Sequence, residues 1–576
     1  MSLAHVPLQP SPANAWSWRS GVIAAVVFCG WLLLMARLVQ LQGTQHESMS
    51  ERVRSQSVFR EPIPARPGDI LDRSGTVLAT TQEVDSLYAV PIEIHDPLHF
   101  AWQVSSVLNL NADELYQQLL EHRSRQFLWI QRRISEEQSE QLRRLPLKKG
   151  TWGVRREYLR RTLQAPFAAH VLGLRDIDNR GRGGLEEGLE KWLQGVPGER
   201  VMMRDARGMI LEVDSDRTRL PTPGRAVVSS IDLPLQQDTE RILDELVAQW
   251  QPRGACAIVM QPHTGEILAM ASRPAFHPEQ LDHVPPEAWK NLAVSAVFEP
   301  GSTFKPLIVA AALQQGLVER DEMIDCSYGL YRMGPRLLHD HHPYGLLSTA
   351  DVLVKSSNIG MARIGERLGL EGLFDAAASF GFGARTGIEL PGELPGILQP
   401  LKNWTIYSLG SIPMGQELAC TPLQLITAHA VLANGGRLVQ PTLICRSQAL
   451  QPDSVDGPVV PPAEEVATPL INPEHAAWLV EEPLVDVVLR GTGKAARIPG
   501  LSIFGKTGTA QKLDPETGTY SDRAWVVSFV CGAPAEHPEA LVLVMVDEPT
   551  APGIHYGGTV AAPAAAKILQ KAITPK

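Results

Sequence analysis

The sequence predicts a multi-domain protein: a single N-terminal transmembrane helix, an α+β module, and a larger domain in which helices cover a sheet. Three observations predict it. The chain has 576 residues, too many for one hydrophobic core. One long uncharged apolar run lies near its start. Beyond "RLPTPGR", Arg219 to Arg225, a mixed arginine-rich pattern gives way to well-separated strand and helix signals.

The apolar run is "SGVIAAVVFCGWLLLMA", Ser20 to Ala36, bracketed by Arg19 and Arg37 and continued by "LVQL". With Arg37 snorkelling, it reaches the ~20 residues that a bilayer-spanning helix needs. Trp16 and Trp18 sit where an interfacial belt would lie. No small-x-small cleavage site follows, so an uncleaved anchor is expected rather than a signal peptide. Arginine and lysine show no strong bias between the flanks, and orientation is open at this level.

From Thr44 to about Gly224 the pattern is mixed. "RPGDILDRSGTVLATT", Arg66 to Thr81, reads as turn, strand, turn, strand. Asn111 to Gln118 and Ser135 to Leu145 read as short amphipathic helices. "GRGGLE", Gly181 to Glu186, opens a helix that "GVPGER" ends. After the linker, "AVVSSID" is a strand and Leu233 to Gln251 a helix. "ACAIVMQPHTGEILAMAS" is two strands around a turn. Ser302 to about Gly316 and Asp351 to Leu368 have helical spacing. "LSIFGKTGTAQ", "AWVVSFVCGAP" and "ALVLVMVDEP" are strands, the first two joined by the polar loop Lys512 to Asp522. The last helix spans Thr559 to Ile573.

A net charge of −10 argues against general nucleic-acid binding. The charge is uneven: from about Glu121 to Leu220, roughly twenty Lys and Arg face roughly fifteen Asp and Glu. The six cysteines are scattered, without a Cys-x-x-Cys pair, and read as small buried hydrophobes apart from Cys29 in the apolar run. "HDHHP", His339 to Pro343, is ligand-like in composition but lacks helical metal-ligand spacing, so it reads as a solvated loop. "GTGKAA", Gly491 to Ala496, resembles a phosphate loop without its full spacing or its Ser/Thr after Lys. Lys355 reads as a surface charge.

Three short elements carry chemistry together. "FEPGSTFKP" places Ser302 and Lys305 one helical turn apart after a Pro-Gly break. Alone this could be a helix cap beside a surface lysine, since Ser-x-x-Lys arises by chance about once in such a chain. It is followed by Ser356-Ser357-Asn358 and then by Lys506-Thr507-Gly508, the ordered signature of penicillin-recognising serine acyltransferases. A serine hydroxyl needs an adjacent base, and i, i+3 spacing lets Lys305 reach Ser302 Oγ. Lysine acts as a base only when neutral, which burial or neighbouring cations achieve. The break before Ser302 sets its oxygen at the positive end of a helix dipole. Ser356 can relay a proton and Asn358 can bond a substrate amide. Lys506 and Thr507 suit a carboxylate, and Gly508 lets a substrate backbone approach the strand.

Here the chain resembles a known family, the class B penicillin-binding proteins, monofunctional peptidoglycan D,D-transpeptidases. "RPGDILDRSGTVLA" is similar to the family's first N-terminal motif and "AHVLGLRDIDNRGRGGLE", Ala169 to Glu186, to its second. Tyr158-Leu-Arg-Arg departs from the family's Tyr-Pro-x-Gly. "TPLQL" at Thr421 and "HYGGTVAAP" at His555 resemble further landmarks. "FEPGST" and "MVDEPTAPGIHYGGTVAAP" look most like the cell-division, FtsI-type branch. The resemblance implies a tail and anchor over 1–41 and a non-catalytic pedestal or dimerisation-type module over 42–220. It places the transpeptidase domain over 221–576, an antiparallel sheet covered by helices plus an all-helical subdomain.

It also implies roles. Ser302 attacks the penultimate D-Ala carbonyl of a stem peptide and Lys305 is the base. Ser356 relays the proton to the leaving amine and Asn358 positions the peptide. Lys506 supplies charge to a carboxylate clamp of Thr507 and Thr509 beside Gly508. The backbone N–H groups of Ser302 and Thr509 form the oxyanion hole, where one missing donor typically costs ~3–4 kcal/mol. β-Lactams are trapped at the same serine. The resemblance implies no metal or organic cofactor. Its partners are D-Ala-D-Ala stem peptides, β-lactams, the membrane, an FtsW-type glycan polymerase and other division proteins. The catalytic domain is expected on the outer side of the cytoplasmic membrane. The alternatives are an elongation-type transpeptidase, a D,D-carboxypeptidase and, in another class, a non-catalytic β-lactam sensor or scaffold.

Overall fold

The computed structural model describes residues 17–45, 58–204, 210–445, 469–513, 517–553 and 555–574. Trp16 and part of the predicted 512–522 loop lie outside them. The chain forms two compact units, one drawn from residues 1–65 and 196–222, the other from 66–195 and 223–576.

In the first unit, the apolar run forms a helix, Ser17–Val39, extended by a π-helical turn, Gln40–Thr44. Within Trp18–Gly43 an 18-residue window reaches a mean hydropathy of 2.4 with none of it buried, and the helix is long and apolar enough to cross a bilayer. The same unit holds a three-stranded antiparallel sheet in which Gly198–Arg204 lies between Val58–Ile63 and Ile210–Arg219.

The second unit contains the mixed module. Its central strand, Val77–Ala89, pairs antiparallel with Ile70–Leu71, Leu128–Ile134 and Trp152–Thr162. The turn before it is pinned by Asp72, which accepts from Ser74 N at 2.9 Å and Thr76 N at 2.8 Å, as Asp in an Asx turn does. The predicted short helices are Ala112–Glu121, capped by Asn111, and Glu136–Arg144, opened by a Ser135–Gln138 capping box. A buried network, Arg160–Glu186–Arg175–Glu190, ties the Gly181–Glu186 turn to this sheet.

The larger sheet is antiparallel, in the order Ile267–Arg273, Gly254–Met260, Ala540–Asp547, Tyr520–Ala533, Phe504–Leu513. Side chains alternate across it. Ala255, Ala257 and Val259 join the core formed with Leu233–Trp250 and Ala562–Ile573. Cys256, Ile258 and Met260 face the other core, which contains the helices Lys305–Gln314, Asn358–Ser379 and Pro422–Ala433. The apolar faces dictate this sandwich, since a sheet with two apolar faces must be covered on both.

One sequence expectation changes. The helix read over Asp351 to Leu368 is two helices, Thr349–Val354 and Asn358–Ser379, broken at the Ser-Ser-Asn element. A hairpin that the sequence did not announce, Leu330–Met333 paired with Arg336–His339, leads into the His339–Pro343 segment, where residues 340–343 form the expected loop. Five cysteines are buried and Cys29 is exposed, all as free thiols.

Candidate active site

Local chain chemistry builds the nucleophile turn. Gly301 has φ 56°, which a glycine tolerates without strain, and its N–H donates to Gly415 O at 3.0 Å. Ser302 then lies in a 3-10 turn, Gly301–Phe304, that runs into the helix Lys305–Gln314. Two buried groups hold the turn from behind. Thr303 Oγ1 donates to Pro300 O at 2.7 Å. His429, on the Pro422–Ala433 helix, donates from Nε2 to Thr303 O at 2.8 Å. Burial lowers the His429 pKa to about 4, so the ring stays neutral and keeps that donor.

The three motifs converge on one hydroxyl. Ser356 Oγ lies 3.0 Å from Ser302 Oγ, 3.2 Å from Lys305 Nζ and 3.1 Å from Lys506 Nζ. Lys305 Nζ also donates to Ser356 O at 2.7 Å and to Asn358 Oδ1 at 2.8 Å. Lys506 Nζ reaches Thr507 O at 3.2 Å. Spacing alone sends Lys305 to Ser302. In the structure three oxygens of the 356–358 turn draw the amine to themselves, and Ser356 stands between the two.

Both lysines are fully buried. Burial lowers the Lys305 pKa to about 7, against the opposing pull of Asp340. Burial pushes Lys506 well down too, and the neighbouring Lys305 charge adds to it. Two amines sharing one buried hydroxyl cannot both carry charge cheaply.

The 356–358 turn is strained and braced. Ser356 sits at φ 56°, a left-handed conformation that costs a non-glycine residue ~1 kcal/mol or more. Asp340 holds the residues after it. Its carboxylate accepts from Ser357 Oγ and Asn358 N, each at 2.5 Å, and from Ile359 N at 3.2 Å. Asp340 belongs to "HDHHP", whose histidines 339, 341 and 342 are exposed while the aspartate is half-buried and turned inward. Only the tertiary fold reveals that role; the sequence signal was an acid within about twenty residues of the motif it braces.

The third motif lies on Phe504–Leu513, the last strand in the sheet's order, paired on one side by Tyr520–Ala533. Thr507 Oγ1 lies 2.7 Å from Thr492 Oγ1. Thr492 belongs to the Gly491–Ala496 stretch that mimicked a phosphate loop, and it acts here as a neighbour of the strand. Thr509 Oγ1 accepts from Gly557 N at 3.2 Å. Gly508 is required for a reason other than the one its sequence suggested. A Cβ there would lie 2.4 Å from Ser528 Oγ, 2.9 Å from Thr303 Cγ2 and 3.0 Å from Pro300 O. It is the nucleophile turn that approaches at this point.

A cavity of about 280 Å³ opens at Ser302, lined also by Asn358, Arg336, Thr509 and Ala510. The arrangement offers a hydroxyl nucleophile, a proton path to a buried amine, and an open strand edge where an extended peptide can add.

Known proteins share this organisation. Residues 255–570 match the penicillin binding protein transpeptidase domain, and residues 62–229 match the penicillin-binding protein dimerisation domain. The peptidoglycan D,D-transpeptidase FtsI of Escherichia coli K12 is 31% identical over 564 residues, spanning 96% of this chain and 91% of FtsI. Stage V sporulation protein D of Bacillus subtilis is 33% identical over 547 residues, spanning 94% of this chain and 83% of that protein. The structure of penicillin binding protein 3 from Mycobacterium tuberculosis complexed with aztreonam is similar at a TM-score of 0.67 and 26% identity, covering 89% of this chain and 98% of that one. The chain belongs to the class B penicillin-binding proteins, the family of peptidoglycan D,D-transpeptidases.

Proposed function

We propose that this protein is a membrane-anchored serine D,D-transpeptidase that cross-links peptidoglycan stem peptides through an acyl-enzyme. The observation that carries the reading is the convergence of Ser302, Lys305 and Lys506 on the Ser356 hydroxyl, with both amines fully buried. Neutral Lys305 donates its two protons to Ser356 O and Asn358 Oδ1, its two shortest contacts. Its lone pair then faces Ser356 Oγ. As Ser302 Oγ bonds to the penultimate D-Ala carbonyl carbon, its proton passes to Ser356 and the Ser356 proton to Lys305. The backbone N–H groups of Ser302 and Thr509 hold the oxyanion. Collapse of the tetrahedral intermediate breaks the C–N bond, and the same relay returns a proton to the departing D-Ala amine. An amine from a neighbouring stem peptide then attacks the ester and releases Ser302. Lys506, Thr507 and Thr509 bind the terminal carboxylate, Gly508 keeps the nucleophile turn against that strand, and Asn358 holds the peptide amide. β-Lactams acylate Ser302 by the same first step, in keeping with the β-lactam complexes of structural relatives.

In this reading residues 1–41 form the tail and anchor, 42–220 a non-catalytic module, and 221–576 the transpeptidase domain on the outer side of the cytoplasmic membrane. Likeness to FtsI supports a septal role beside an FtsW-type polymerase. Likeness to Stage V sporulation protein D supports a second reading, a transpeptidase of a developmental stage. The testing experiment supplies a defined donor and acceptor and follows cross-linked dimer and free D-Ala together. Transpeptidation yields both in proportion. D-Ala without dimer indicates a carboxypeptidase, and neither product from protein that binds penicillin indicates a sensor.

A further inference from the structure

The groove over Ser302 carries a cation that the acyl-transfer chemistry leaves unused. Arg336 opens the second strand of the Leu330–His339 hairpin, just after the Gly334-Pro335 turn. Arg336 and Leu338 point to the same side of that strand, and Leu338 is buried, which fixes the arginine's direction. Its Nη1 donates to Ser411 Oγ at 2.5 Å. Among the described residues no carboxylate oxygen lies within 4.0 Å of the guanidinium. Among the described residues lining the cavity, Arg336 is the one lysine or arginine, and none is Asp or Glu. The acids nearest Tyr520 are engaged elsewhere: Glu299 accepts from Tyr520 OH at 3.0 and 3.1 Å and from Glu417 N at 3.0 Å, and Glu417 accepts from Ser408 Oγ at 2.7 Å.

Position in the cavity gives the cation a role. Arg336 lines the cavity together with Ser302, Thr509 and Ala510, and it acts electrostatically on the Tyr520 phenol, whose hydroxyl bonds Glu299 just before the nucleophile turn. A peptide whose C-terminal carboxylate sits at Lys506 and Thr507 and whose scissile carbonyl meets Ser302 runs on through the cavity that Arg336 lines. A guanidinium tethered by a neutral hydroxyl, with no described carboxylate within ion-pair range, is preorganised for an anion.

We propose that Arg336 recognises a second carboxylate of the peptide substrate, carried upstream of the D-Ala-D-Ala end. This rests on the transpeptidase reading above. The carboxylate belongs either to the acyl donor or to the acceptor strand.

The test uses full-length protein in detergent with synthetic thiolester donors that differ only in an upstream carboxylate or its methyl ester. Acceptor amines are varied the same way. Arg336→Gln is expected to cut the preference for the charged over the esterified substrate about tenfold, the worth of one charged hydrogen bond, while Arg336→Lys keeps part of it. A loss confined to donor pairs places the anion on the donor, and a loss confined to acceptor pairs places it on the acceptor. An unchanged preference in Arg336→Gln, or an equal fall with charged and esterified substrates, overturns the proposal. Penicillin labelling and melting temperature are recorded beside each rate. Absence of Ser302 labelling in the unsubstituted protein would count against the transpeptidase reading itself and not against Arg336.

Discussion

Asp340→Asn removes one charge and almost no volume from the brace behind the Ser356 turn. Asp340 accepts three hydrogen bonds there, from Ser357 Oγ, Asn358 N and Ile359 N. Asparagine keeps one acceptor oxygen for the two backbone donors and turns its amide toward the Ser357 hydroxyl. Charged hydrogen bonds contribute ~1.5–3 kcal/mol and neutral ones ~0.5–1.5, so the substitution costs ~1–3 kcal/mol. The left-handed Ser356 is where that loss falls, because its strain persists only while the surroundings hold it. At 1.4 kcal/mol per decade, a 10- to 100-fold loss in acylation rate is expected. A second effect separates positioning from stability. Asp340 is the anion that favours the charged form of Lys305, against burial. With it gone, the Lys305 pKa falls below its value of about 7, and the ascending limb of the pH–rate profile moves to lower pH. The assay is stopped-flow acylation by a chromogenic cephalosporin from pH 5 to 9. Unchanged acylation with an unmoved limb would refute the reasoning.

Other expectations follow from the same contacts. Lys305→Arg keeps a cation that cannot deprotonate, so acylation should fall by at least ~10³-fold, at the scale of lost general-base catalysis, with the fold intact by circular dichroism; near-normal rates would point to another base. In the unsubstituted protein acylation should rise through about pH 7 as Lys305 loses its proton. Stability should rise over the same region: from about pH 7 toward the ordinary lysine value the unfolded chain holds a proton that the folded one does not. Thr507→Val removes the partner of Thr492 Oγ1 and should slow acylation by carboxylate-bearing β-lactams far more than by their esters; equal slowing would show that Thr507 does not read the carboxylate. A chain beginning at Gln45 should be soluble and acylated at close to the full-length rate while failing to support septal growth in depleted cells. Slow acylation would implicate the anchor in the site, and full rescue would show that placement does not need it.

The parts of this protein legible in its sequence are those that local chemistry fixes. The Ser302 turn and the Lys506 strand announce themselves through Pro-Gly and Lys-Thr-Gly in local settings that admit little else, whereas the break at Ser356 falls inside a stretch whose spacing reads as one helix. The parts not legible are held by distant neighbours. Asp340 looked like one polar residue in a histidine-rich loop, yet its carboxylate faces inward. His429 lies in a helix apolar all round, and only the packed fold sets it behind Thr303. The i, i+3 rule placed Lys305 on the correct face but could not show that Ser356 would take the position between the amine and Ser302. The hairpin that presents Arg336 is two four-residue strands, too short for any periodicity to register.

The most direct test of the central claim, that Ser302 carries the acyl group, is mass spectrometry of the full-length protein after incubation with benzylpenicillin. The expected result is one covalent adduct per chain, mapping to the peptide that contains Ser302 and absent from a folded Ser302→Ala protein. An adduct on any other residue, or undiminished labelling of Ser302→Ala, would contradict the account.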